Sequence, residues 1–511
     1  MKKLNFFFLS LLSLLLIILT GYFIYQIFNI NVLPTNICIL VSIVFILLDL
    51  IALVLLNLYK KIFTKVFAIF LTIVLSVSYL FGGYYLMKTT NTLNTITDNS
   101  NKIKNTVSVI VLDDSKIDSL SDLEGLKIGV LSEIDSYGTK KCLADFKEEK
   151  VNYNRLEYDS LDKEIQGLYD KDVRAIILNE NYRETVSENK NFKDFDKETK
   201  VIHETVYYTE KKNEVKAVKD ITNTPFTVLL SGSDSRGGLD EVARTDVNMV
   251  VAVNPNTGTI LLMSIPRDFY VNTVCNVAQN CSNGALDKLT HTGIYGVQTT
   301  KETVENLLGI EINYTLRVGF DAVENLVNAL GGIDIYSDQT IENVGNGNTS
   351  CTVYEGDNHL NGECALGFAR ERYAYTEGDR HRAVNQQEVI KAVIKKSMSF
   401  SSVTNYTSIL EALSGFFETD LSTEEIQTLI KWQISSRINW KVEQYSVDGR
   451  GSTEMCAALG QAAYVMIPDQ NTVKLATAKI NAVLSGESSD SITIESITES
   501  VNNTENKEEN E

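Results

Sequence analysis

Three long apolar runs open the sequence and constrain the fold more than any other feature. They are Leu4–Phe28, Asn36–Leu58 and Ile62–Met87. Each has about the 20 residues that an α-helix needs to cross the hydrocarbon core of a bilayer. No small-residue cleavage site separates the first run from the second, which argues against a cleavable signal peptide. We therefore expect residues 1–88 to form a membrane anchor of three transmembrane helices.

The lysines around these runs predict how the anchor is oriented. Two lysines precede the first run, and Lys60, Lys61 and Lys65 flank the junction between the second and third runs. The loop between the first two runs, Asn29–Thr35, contains no lysine or arginine. Because short loops rich in lysine and arginine stay on the cytoplasmic side, we expect the N-terminus in the cytoplasm and everything after Met87 outside the cell membrane.

A single carboxylic acid, Asp49, lies inside the second apolar run. An ionisable group at this depth is costly and often functional. One interpretation is therefore a contact with a lipid or a partner protein. We prefer the other interpretation, a carboxyl group that is protonated or paired at a helix interface, because the other two runs offer no partner for a proton relay.

The length and charge of the chain limit its organisation and its partners. A chain of 511 residues is too long for one hydrophobic core, so at least two domains are expected. Acidic residues outnumber basic ones by 66 to 47, giving a formal charge of −19. This balance argues against broad nucleic-acid binding, which needs a positive surface. Residues 486–511 are rich in Ser, Asn, Thr and Glu, and predict a disordered acidic tail.

Residues 105–215, reached through a polar linker at 89–104, alternate between strand-like and helix-like segments. The strand-like segments are Val107–Leu112, Lys127–Leu131 and Val173–Leu178, and the helical ones are Cys142–Glu149 and Leu161–Tyr169. The alternation predicts a small α/β accessory domain with a parallel sheet. The stretch SDLEGLKIGVLSE resembles part of a periplasmic solute-binding protein. We favour a spacer or interaction module over ligand binding, because fold alone does not define function.

In the second half of the chain, charged residues stand at the ends of three apolar segments. Phe226–Leu230, Val247–Val253 and Thr259–Ile265 have the length and β-branched content of buried strands, and residues 254–258 read as a hairpin loop. The charged residues beside the strand ends are Asp234, Arg236, Arg244, Asp246, Arg267 and Asp268. If the strands are neighbours, these residues converge in a pocket of mixed charge. Such a pocket suits a metal-bridged phosphate better than a protein core.

Two further stretches carry expectations about local structure. The stretch GDRHRAVNQQEVIKAVIKK predicts an amphipathic helix in which Arg382 and Gln386, four residues apart, share a face. Arg370 and Arg372 are two residues apart, so they share a face only if that stretch is extended. Leu286–Gly296 is also expected to be helical.

Four motifs resemble those of the LytR-CpsA-Psr family in their order and spacing. They are SGSDSRGGLDEVARTDVNMVVAVNPNTGTILLMSIPRD, LGFARER, GDRHR and NQQEVI. The resemblance extends from Thr224 to Lys396, about a third of the chain. The three apolar runs together with an accessory domain resemble the capsule-associated branch of that family.

The resemblance implies both a fold and an activity for residues 222–485. The implied fold is an α/β catalytic domain, an α-β-α arrangement around a mixed sheet. The implied activity is that of a membrane-anchored, extracytoplasmic phosphotransferase of Gram-positive bacteria. It moves a glycopolymer, capsular polysaccharide or teichoic-acid-like, as its sugar 1-phosphate from a polyprenyl pyrophosphate carrier to peptidoglycan, leaving a phosphodiester. Other capsule-synthesis proteins are implied as further partners.

The resemblance also assigns roles to individual residues. Asp234 and Asp246 match the carboxylates that hold Mg²⁺, the expected cofactor. The residues that match the pyrophosphate-binding set are Arg244, Arg267, Arg370, Arg372, Arg382 and Gln386, and those expected to be catalytic are Arg267, Arg244 and Asp379. The residue types suit phosphoryl transfer, because arginine provides paired donors that stay charged and Mg²⁺ prefers a few carboxylates together with phosphate oxygens.

Three other functions stay open on the sequence alone. The same pocket in a polyprenyl-pyrophosphate phosphatase would pass the phosphate to water. A membrane regulator or attenuator of cell-envelope synthesis is disfavoured, because the predicted topology leaves no cytosolic DNA-binding part. A non-catalytic glycan or lipid binder is disfavoured as well, because binding alone does not require a metal ion at the scissile phosphate.

The cysteines predict two disulfides. The sequence has seven cysteines, and the expected extracytoplasmic location permits disulfide formation. Pairing Cys275 with Cys281, and Cys351 with Cys364, would close one surface loop each. The alternative is free thiols. No CxxC or Cys/His spacing suggests a zinc site.

Overall fold

The three apolar runs form the helices α1 (Lys2–Asn29), α2 (Thr35–Leu58) and α3 (Ile62–Thr97). The structure is a computed structural model that describes residues 2–58, 61–97, 102–210, 214–233, 241–276, 281–398, 409 and 416–496. Each of the three helices is long and apolar enough to cross a membrane. The helical prediction for all three runs is confirmed.

Asp49 joins the three helices. The Thr20 hydroxyl of α1 donates to Asp49 Oδ2 at 2.6 Å, and the Tyr79 hydroxyl of α3 donates to Asp49 Oδ1 at 3.0 Å. Asp49 is 6% exposed. The preferred interpretation, a carboxyl group paired at a helix interface, agrees with this geometry, and its partners are two hydroxyl groups.

Helix α3 continues well beyond its apolar part, so the predicted linker at 89–104 is helical through Thr97. The reason is tertiary packing: Leu93 and Ile96 are buried against Phe417 and Ile426 of the second outer domain. The Thr97 hydroxyl also lies 2.6 Å from the hydroxyl of Thr423 in that domain. The membrane anchor is therefore in direct contact with the domain that carries the candidate site.

The first outer domain has a five-stranded sheet with helices around it. Its elements are β1 (Lys102–Leu112), β2 (Lys127–Leu131), α4 (Ser136–Glu148), β3 (Asn154–Tyr158), α5 (Leu161–Tyr169), β4 (Ala175–Asn179), α6 (Arg183–Glu188), α7 (Phe195–Glu198) and β5 (Thr199–Glu210). The strand order is β3-β2-β4-β1-β5. Strands β3, β2 and β4 are parallel, but β1 is antiparallel to both β4 and β5. The prediction of a parallel sheet is therefore wrong for two of the five strands. Strand β5 was not predicted, because its apolar residues are interrupted by charged ones such as Lys200 and Glu204.

The second outer domain has a six-stranded mixed sheet between two layers of helices. Its elements are β6 (Phe226–Ser233), β7 (Thr245–Asn254), β8 (Thr259–Ile265), β9 (Tyr270–Asn272), β10 (Leu286–Lys288), α8 (Val297–Leu308), β11 (Tyr314–Gly319), α9 (Phe320–Ala329), β12 (Ile333–Ser337), β13 (Gly356–Leu360), α10 (Gly362–Arg370), α11 (Asp379–Ser397), β14 (Phe417–Thr419), α12 (Thr423–Ser436), β15 (Lys441–Ser446), β16 (Gly449–Cys456), β17 (Gln461–Pro468) and α13 (Gln470–Ser485). The sheet order is β14-β11-β6-β7-β8-β15. The predicted α-β-α architecture is confirmed.

The two faces of this sheet explain why its strands are apolar throughout. Leu229, Val250 and Leu261 point to the face covered by α8 and α13. Val228 and Leu262 point to the opposite face, where α11 and α12 pack. A strand buried on both faces needs apolar residues at every position and shows no polar alternation. Strands β6, β7 and β8 are successive antiparallel neighbours, which confirms the predicted hairpin.

The stretch Leu286–Gly296 is not the predicted helix. It forms strand β10, which pairs with β9, followed by 3₁₀ turns over Leu289–Tyr295. Both disulfides are present, Cys275–Cys281 and Cys351–Cys364.

The prediction of disorder from residue 486 onward is wrong for its first part, and residues 497–511 lie outside the described residues. The buried Glu443 accepts from the Ser488 hydroxyl at 2.7 Å and from the Ser489 N–H at 2.8 Å, and pairs with Lys441 at 2.6 Å. Burial alone would raise the pKa of Glu443, but these hydrogen bonds from Lys441, Ser489 and Ser488 outweigh it and lower the pKa to about 2. Polar side chains thus order this segment without an apolar signal.

We predict that Asp49→Leu lowers the melting temperature of the detergent-solubilised protein, whereas Asp49→Asn changes it much less. The leucine leaves the Tyr79 hydroxyl without its acceptor and removes two interhelical hydrogen bonds, each worth about 0.6–2 kcal/mol. Asparagine keeps an acceptor oxygen. Equal melting temperatures for wild type and Asp49→Leu would contradict a structural role for this carboxyl group.

We predict that Glu443→Gln destabilises the protein at pH 7 and progressively less below pH 4.5. Because the folded pKa of Glu443 lies below its ordinary value of 4.5, its stabilisation is present above that pH and is lost as the pH falls towards 2. At pH 7 the loss should be on the order of 2–3 kcal/mol. The measurement is the difference in melting temperature between wild type and variant from pH 7 to pH 3. A difference that stays constant with pH would show that the charge of Glu443 does not stabilise the fold.

Candidate functional site

The site begins where strands β7 and β8 meet. Their antiparallel register pairs Asn248 with Ile265, which places the start of β7 beside the end of β8. Asp246 and Arg267 therefore become neighbours, and Arg267 Nη1 donates to Asp246 Oδ1 at 2.9 Å. Thr290 Oγ1 donates to the same oxygen at 3.3 Å. The sheet register thus creates the first contact of the site.

Helix α11 brings the second group of side chains. Arg382 lies one turn after Asp379, and its Nη2 is 2.8 Å from Asp379 Oδ1. Arg372 Nη1 lies 3.8 Å from the same Asp379 oxygen. Gln386 follows Arg382 by four residues, on the face predicted from the sequence.

These two groups line one pocket of about 220 Å³. Its predicted members are Asp246, Arg267, Asp379, Arg382 and Gln386, and its other lining residues include Asn248, Ser264, Arg380 and Asp448. The pocket therefore combines side chains from the sheet and from helix α11 that are more than 100 positions apart in the chain.

Charged side chains of both signs line the pocket: Arg267, Arg380 and Arg382 with Asp246, Asp379 and Asp448. Burial alone would raise the pKa of Asp246, but Arg267, Arg244 and Arg382 outweigh it and lower the pKa to about 2. Burial lowers the pKa of Arg382, Asp379 opposes this effect, and the charge of Arg267 lowers the pKa again. The crowding of cations around Arg382 favours an anion as the ligand of this pocket.

Three buried guanidinium N–H groups lack a hydrogen-bond partner within the described residues. They are the Nε groups of Arg244, Arg267 and Arg372. Buried donors are nearly always paired in folded proteins, and leaving one unpaired costs about 1–3 kcal/mol. Of these three arginines, Arg267 lines the pocket, so its Nε group is available to an acceptor from a ligand.

Asp246 meets the requirements for holding a divalent cation. Both of its hydrogen bonds within the described residues fall on Oδ1, so Oδ2 stays available in the pocket wall. A carboxylate oxygen beside a polyanion pocket suits Mg²⁺. The second predicted carboxylate, Asp234, lies outside the described residues.

Three predicted residues are absent from the pocket lining: Arg244, Arg370 and Arg372. Arg244 is 5% exposed, but its Nη1 donates to Glu188 Oε2 at 2.7 Å and its Nη2 to Glu184 Oε2 at 3.4 Å. Both glutamates belong to the first outer domain. Arg370 ends helix α10 with its guanidinium over the Phe320 ring, 5.0 Å from the ring centroid. The structure thus does not bring Arg370 into the pocket lining.

Sequence reasoning missed Glu188, whose Oε1 lies 3.4 Å from Arg267 Nη1. It stands in the polar stretch NYRETVSENK, which contains no motif, so no sequence signal connected it to the arginines. The ion pair between Lys288 and Asp268, at 3.1 Å, was also missed, because the segment that contains Lys288 was wrongly predicted to be helical.

The fold and the pocket define an α/β protein with three helices long and apolar enough to cross a membrane, and with a pocket lined by arginines and aspartates. A model of the LytR_cpsA_psr family matches residues 190–481, more than half of the chain. The chain therefore belongs to the LytR_cpsA_psr family. A second family model, DNA polymerase processivity factor, matches residues 60–178, less than a quarter of the chain, and begins beside the third membrane helix.

Two relatives match less than half of this chain. A polyisoprenyl-teichoic acid–peptidoglycan teichoic acid transferase TagU of Bacillus mycoides is 33% identical over 226 residues, 44% of this chain and 70% of that protein. A TagU of Bacillus anthracis is 34% identical over 203 residues, 40% of this chain and 62% of that protein. A solved structure from Streptococcus agalactiae, protein gbs0355, is 26% identical, with a TM-score of 0.44 over 51% of this chain and 88% of that one.

We predict that alanine substitutions at two adjacent glutamines change different properties, enzymatic activity at one and thermal stability at the other. Gln386→Ala should lower the activity and leave the melting temperature unchanged, because Gln386 lines the pocket. Gln387→Ala should lower the melting temperature, because the buried Gln387 Nε2 donates to the backbone oxygens of Leu262 at 3.1 Å and Tyr445 at 2.7 Å. Its loss should cost about 1–3 kcal/mol. Thermal unfolding and turnover of both variants test the assignment, and a stability loss for Gln386→Ala would contradict it.

Proposed function

We propose that this protein is a membrane-anchored phosphotransferase that moves a glycopolymer, as its sugar 1-phosphate, from a polyprenyl pyrophosphate carrier to peptidoglycan. The observation that carries this proposal is the convergence of Arg267, Arg382, Asp379, Asp246 and Gln386 on one pocket with unpaired guanidinium donors. The names of the relatives, polyisoprenyl-teichoic acid–peptidoglycan teichoic acid transferases, support the same reaction class.

The pocket residues bind and orient the pyrophosphate. Arg267 and Arg382 approach from the sheet and from helix α11, so they bracket a ligand between them. Their guanidinium groups stay charged and provide paired donors to phosphate oxygens. Stabilising the charge on the departing polyprenyl phosphate is the main requirement of phosphoryl transfer, since the reaction depends on positioning and electrostatics. Asp379 holds Arg382 through its 2.8 Å ion pair.

We propose Mg²⁺ as the cofactor, held by Asp246 together with Asp234. When bound, Mg²⁺ supplies charge neutralisation at the pyrophosphate. Asp246 would also keep Arg267 directed into the pocket through the 2.9 Å contact.

We propose that the N-terminus is cytoplasmic and both outer domains lie on the far side of the membrane. The lysine distribution supports this orientation. Lys431 Nζ of the second outer domain also donates to Asn31 Oδ1, in the α1–α2 loop, at 3.3 Å. That contact supports a common side for the lysine-free loop and the catalytic domain. Because α3 packs on the same domain, it supports a fixed distance between the pocket and the membrane surface.

We propose the chemical class of the transferred polymer and of its acceptor, peptidoglycan. The relatives' names support a teichoic-acid-like polymer, and the capsule-associated branch and partnership with other capsule-synthesis proteins stay predictions. Transfer to water, the phosphatase reaction, is the alternative outcome of the same pocket chemistry.

The test uses the full chain in detergent or nanodiscs with Mg²⁺, a polyprenyl-pyrophosphate glycan and peptidoglycan fragments. We predict that wild type forms a phosphodiester-linked conjugate visible by mass spectrometry, and that Arg267→Ala lowers its rate by about 10²–10³-fold, as for other preorganised donors. Arg155→Ala is the matched control, since Arg155 pairs only with Glu157 on the exposed face of strand β3 among the described residues. EDTA should abolish conjugate formation, and added Mg²⁺ should restore it.

A melting temperature for each variant separates chemistry from folding. Arg267→Lys keeps a positive charge beside Asp246 and serves where the alanine variant unfolds. Free glycan phosphate without conjugate in the presence of fragments would favour the phosphatase. Full activity of the folded Arg267 variants would overturn the assignment of this pocket.

A further inference from the structure

The two outer domains share one hydrophobic core. Ile294, Leu459 and Val465 of the second domain pack in the same buried cluster as Ile165 and Val186 of the first. Backbone groups also connect them, since the Leu161 N–H donates to the Leu459 carbonyl at 3.1 Å. Helix α6, which contains Val186, is therefore held firmly against the catalytic domain.

The last residue of α6, Glu188, reaches the arginines of the pocket. Its Oε2 accepts from Arg244 Nη1 at 2.7 Å, and its Oε1 accepts from Arg267 Nη1 at 3.4 Å. Each carboxylate oxygen thus meets a different guanidinium group. Burial raises the pKa of Glu188, but Arg244 and Arg267 outweigh this effect and lower it, so the group stays an anion.

The Glu188 carboxylate thus contacts the two arginines in the way a phosphate group would, with a separate oxygen on each cationic donor. The donors that face Glu188 cannot serve a phosphate oxygen at the same time. The Glu188 side chain is also 47% exposed, unlike the buried arginines that it contacts. It is therefore able to move into solvent without opening the shared core.

We propose that Glu188 is a specificity-determining residue that takes the place of one phosphate group in the substrate-free protein. This inference rests on the proposed function. A pyrophosphate, which offers two phosphate groups to the remaining donors, displaces Glu188. A single phosphate competes poorly with it. Glu188 thereby distinguishes the polyprenyl pyrophosphate substrate from the polyprenyl phosphate product, and its return to the arginines favours product release.

A charge count supports this selectivity. Four carboxylates lie near the two positive charges of Arg244 and Arg267: Glu188, Asp246, Glu184 and Asp268. Moving Glu188 away removes one of these negative charges, which makes the surroundings of the two arginines more favourable for the more highly charged ligand. Glu184, 3.4 Å from Arg244, keeps a partial counter-charge in either state.

The test compares the binding of two probes, geranyl pyrophosphate and geranyl monophosphate, to the full chain in detergent with Mg²⁺ by calorimetry. We predict that wild type prefers the pyrophosphate and that Glu188→Gln reduces this preference about tenfold. The change should come mainly from tighter binding of the monophosphate, because the Glu188 carboxylate no longer occupies the arginines. In the transfer reaction, the same variant should show stronger inhibition by geranyl monophosphate.

Two matched variants serve as controls. Glu180→Gln removes a carboxylate that pairs with Arg183 away from the pocket, and should leave the preference unchanged. Glu184→Gln should have a smaller effect than Glu188→Gln, because Glu184 lies 3.4 Å from Arg244, whereas Glu188 bridges Arg244 and Arg267. Melting temperatures show whether each variant is folded.

The possible outcomes separate this inference from the proposed function. Weaker binding of both probes by folded Glu188→Gln would mean that Glu188 only supports the arginines, and would overturn the inference. An unchanged preference, with conjugate still formed by wild type, would also overturn it and leave the transferase intact. Absence of conjugate with wild type would instead count against the transferase itself.

Discussion

The contact between Asp246 and Arg267 is the interaction on which the site depends. It ties the start of β7 to the end of β8, and it places a counter-charge beside an arginine that is 12% exposed. A buried charge without a partner costs several kcal/mol, so such arginines persist only with carboxylates around them. Asp246, Asp379 and Glu188 provide that balance. The Nε group of Arg267 stays unpaired among the described residues, and this donor in the pocket wall favours an anionic ligand.

The surrounding domains hold this cluster from two directions. Helix α3 extends out of the membrane-spanning part and buries Leu93 and Ile96 against the catalytic domain. The first outer domain shares a core with it and contributes Glu188. The accessory domain therefore contacts the site through Glu188 and Arg267, in addition to any role as a spacer. Its mixed sheet gives no evidence by itself for ligand binding, since fold does not define function.

Much of the fold was predictable from local patterns. The apolar runs predicted three helices because a bilayer-spanning segment must satisfy its own backbone. The continuous apolar strands β6 to β8 and the Asn-Pro-Asn-Thr-Gly turn predicted the hairpin. The strand β5 and the ordered segment around Ser489 were missed. Strand β5 is held by backbone pairing with the distant strand β1, and the segment around Ser489 by polar contacts with Glu443.

For the site, the sequence by itself determined which residue types gather at strand ends and that Arg382 and Gln386 share a helix face, because both follow from short-range periodicity. Only the tertiary structure decided which of these side chains meet. It brought Asp246, Arg267, Asp379, Arg382 and Gln386 to one pocket, left Arg370 over Phe320, and turned Arg244 towards Glu188. The physical reason is that sheet register and domain packing depend on contacts between residues far apart in the chain, which no local pattern encodes.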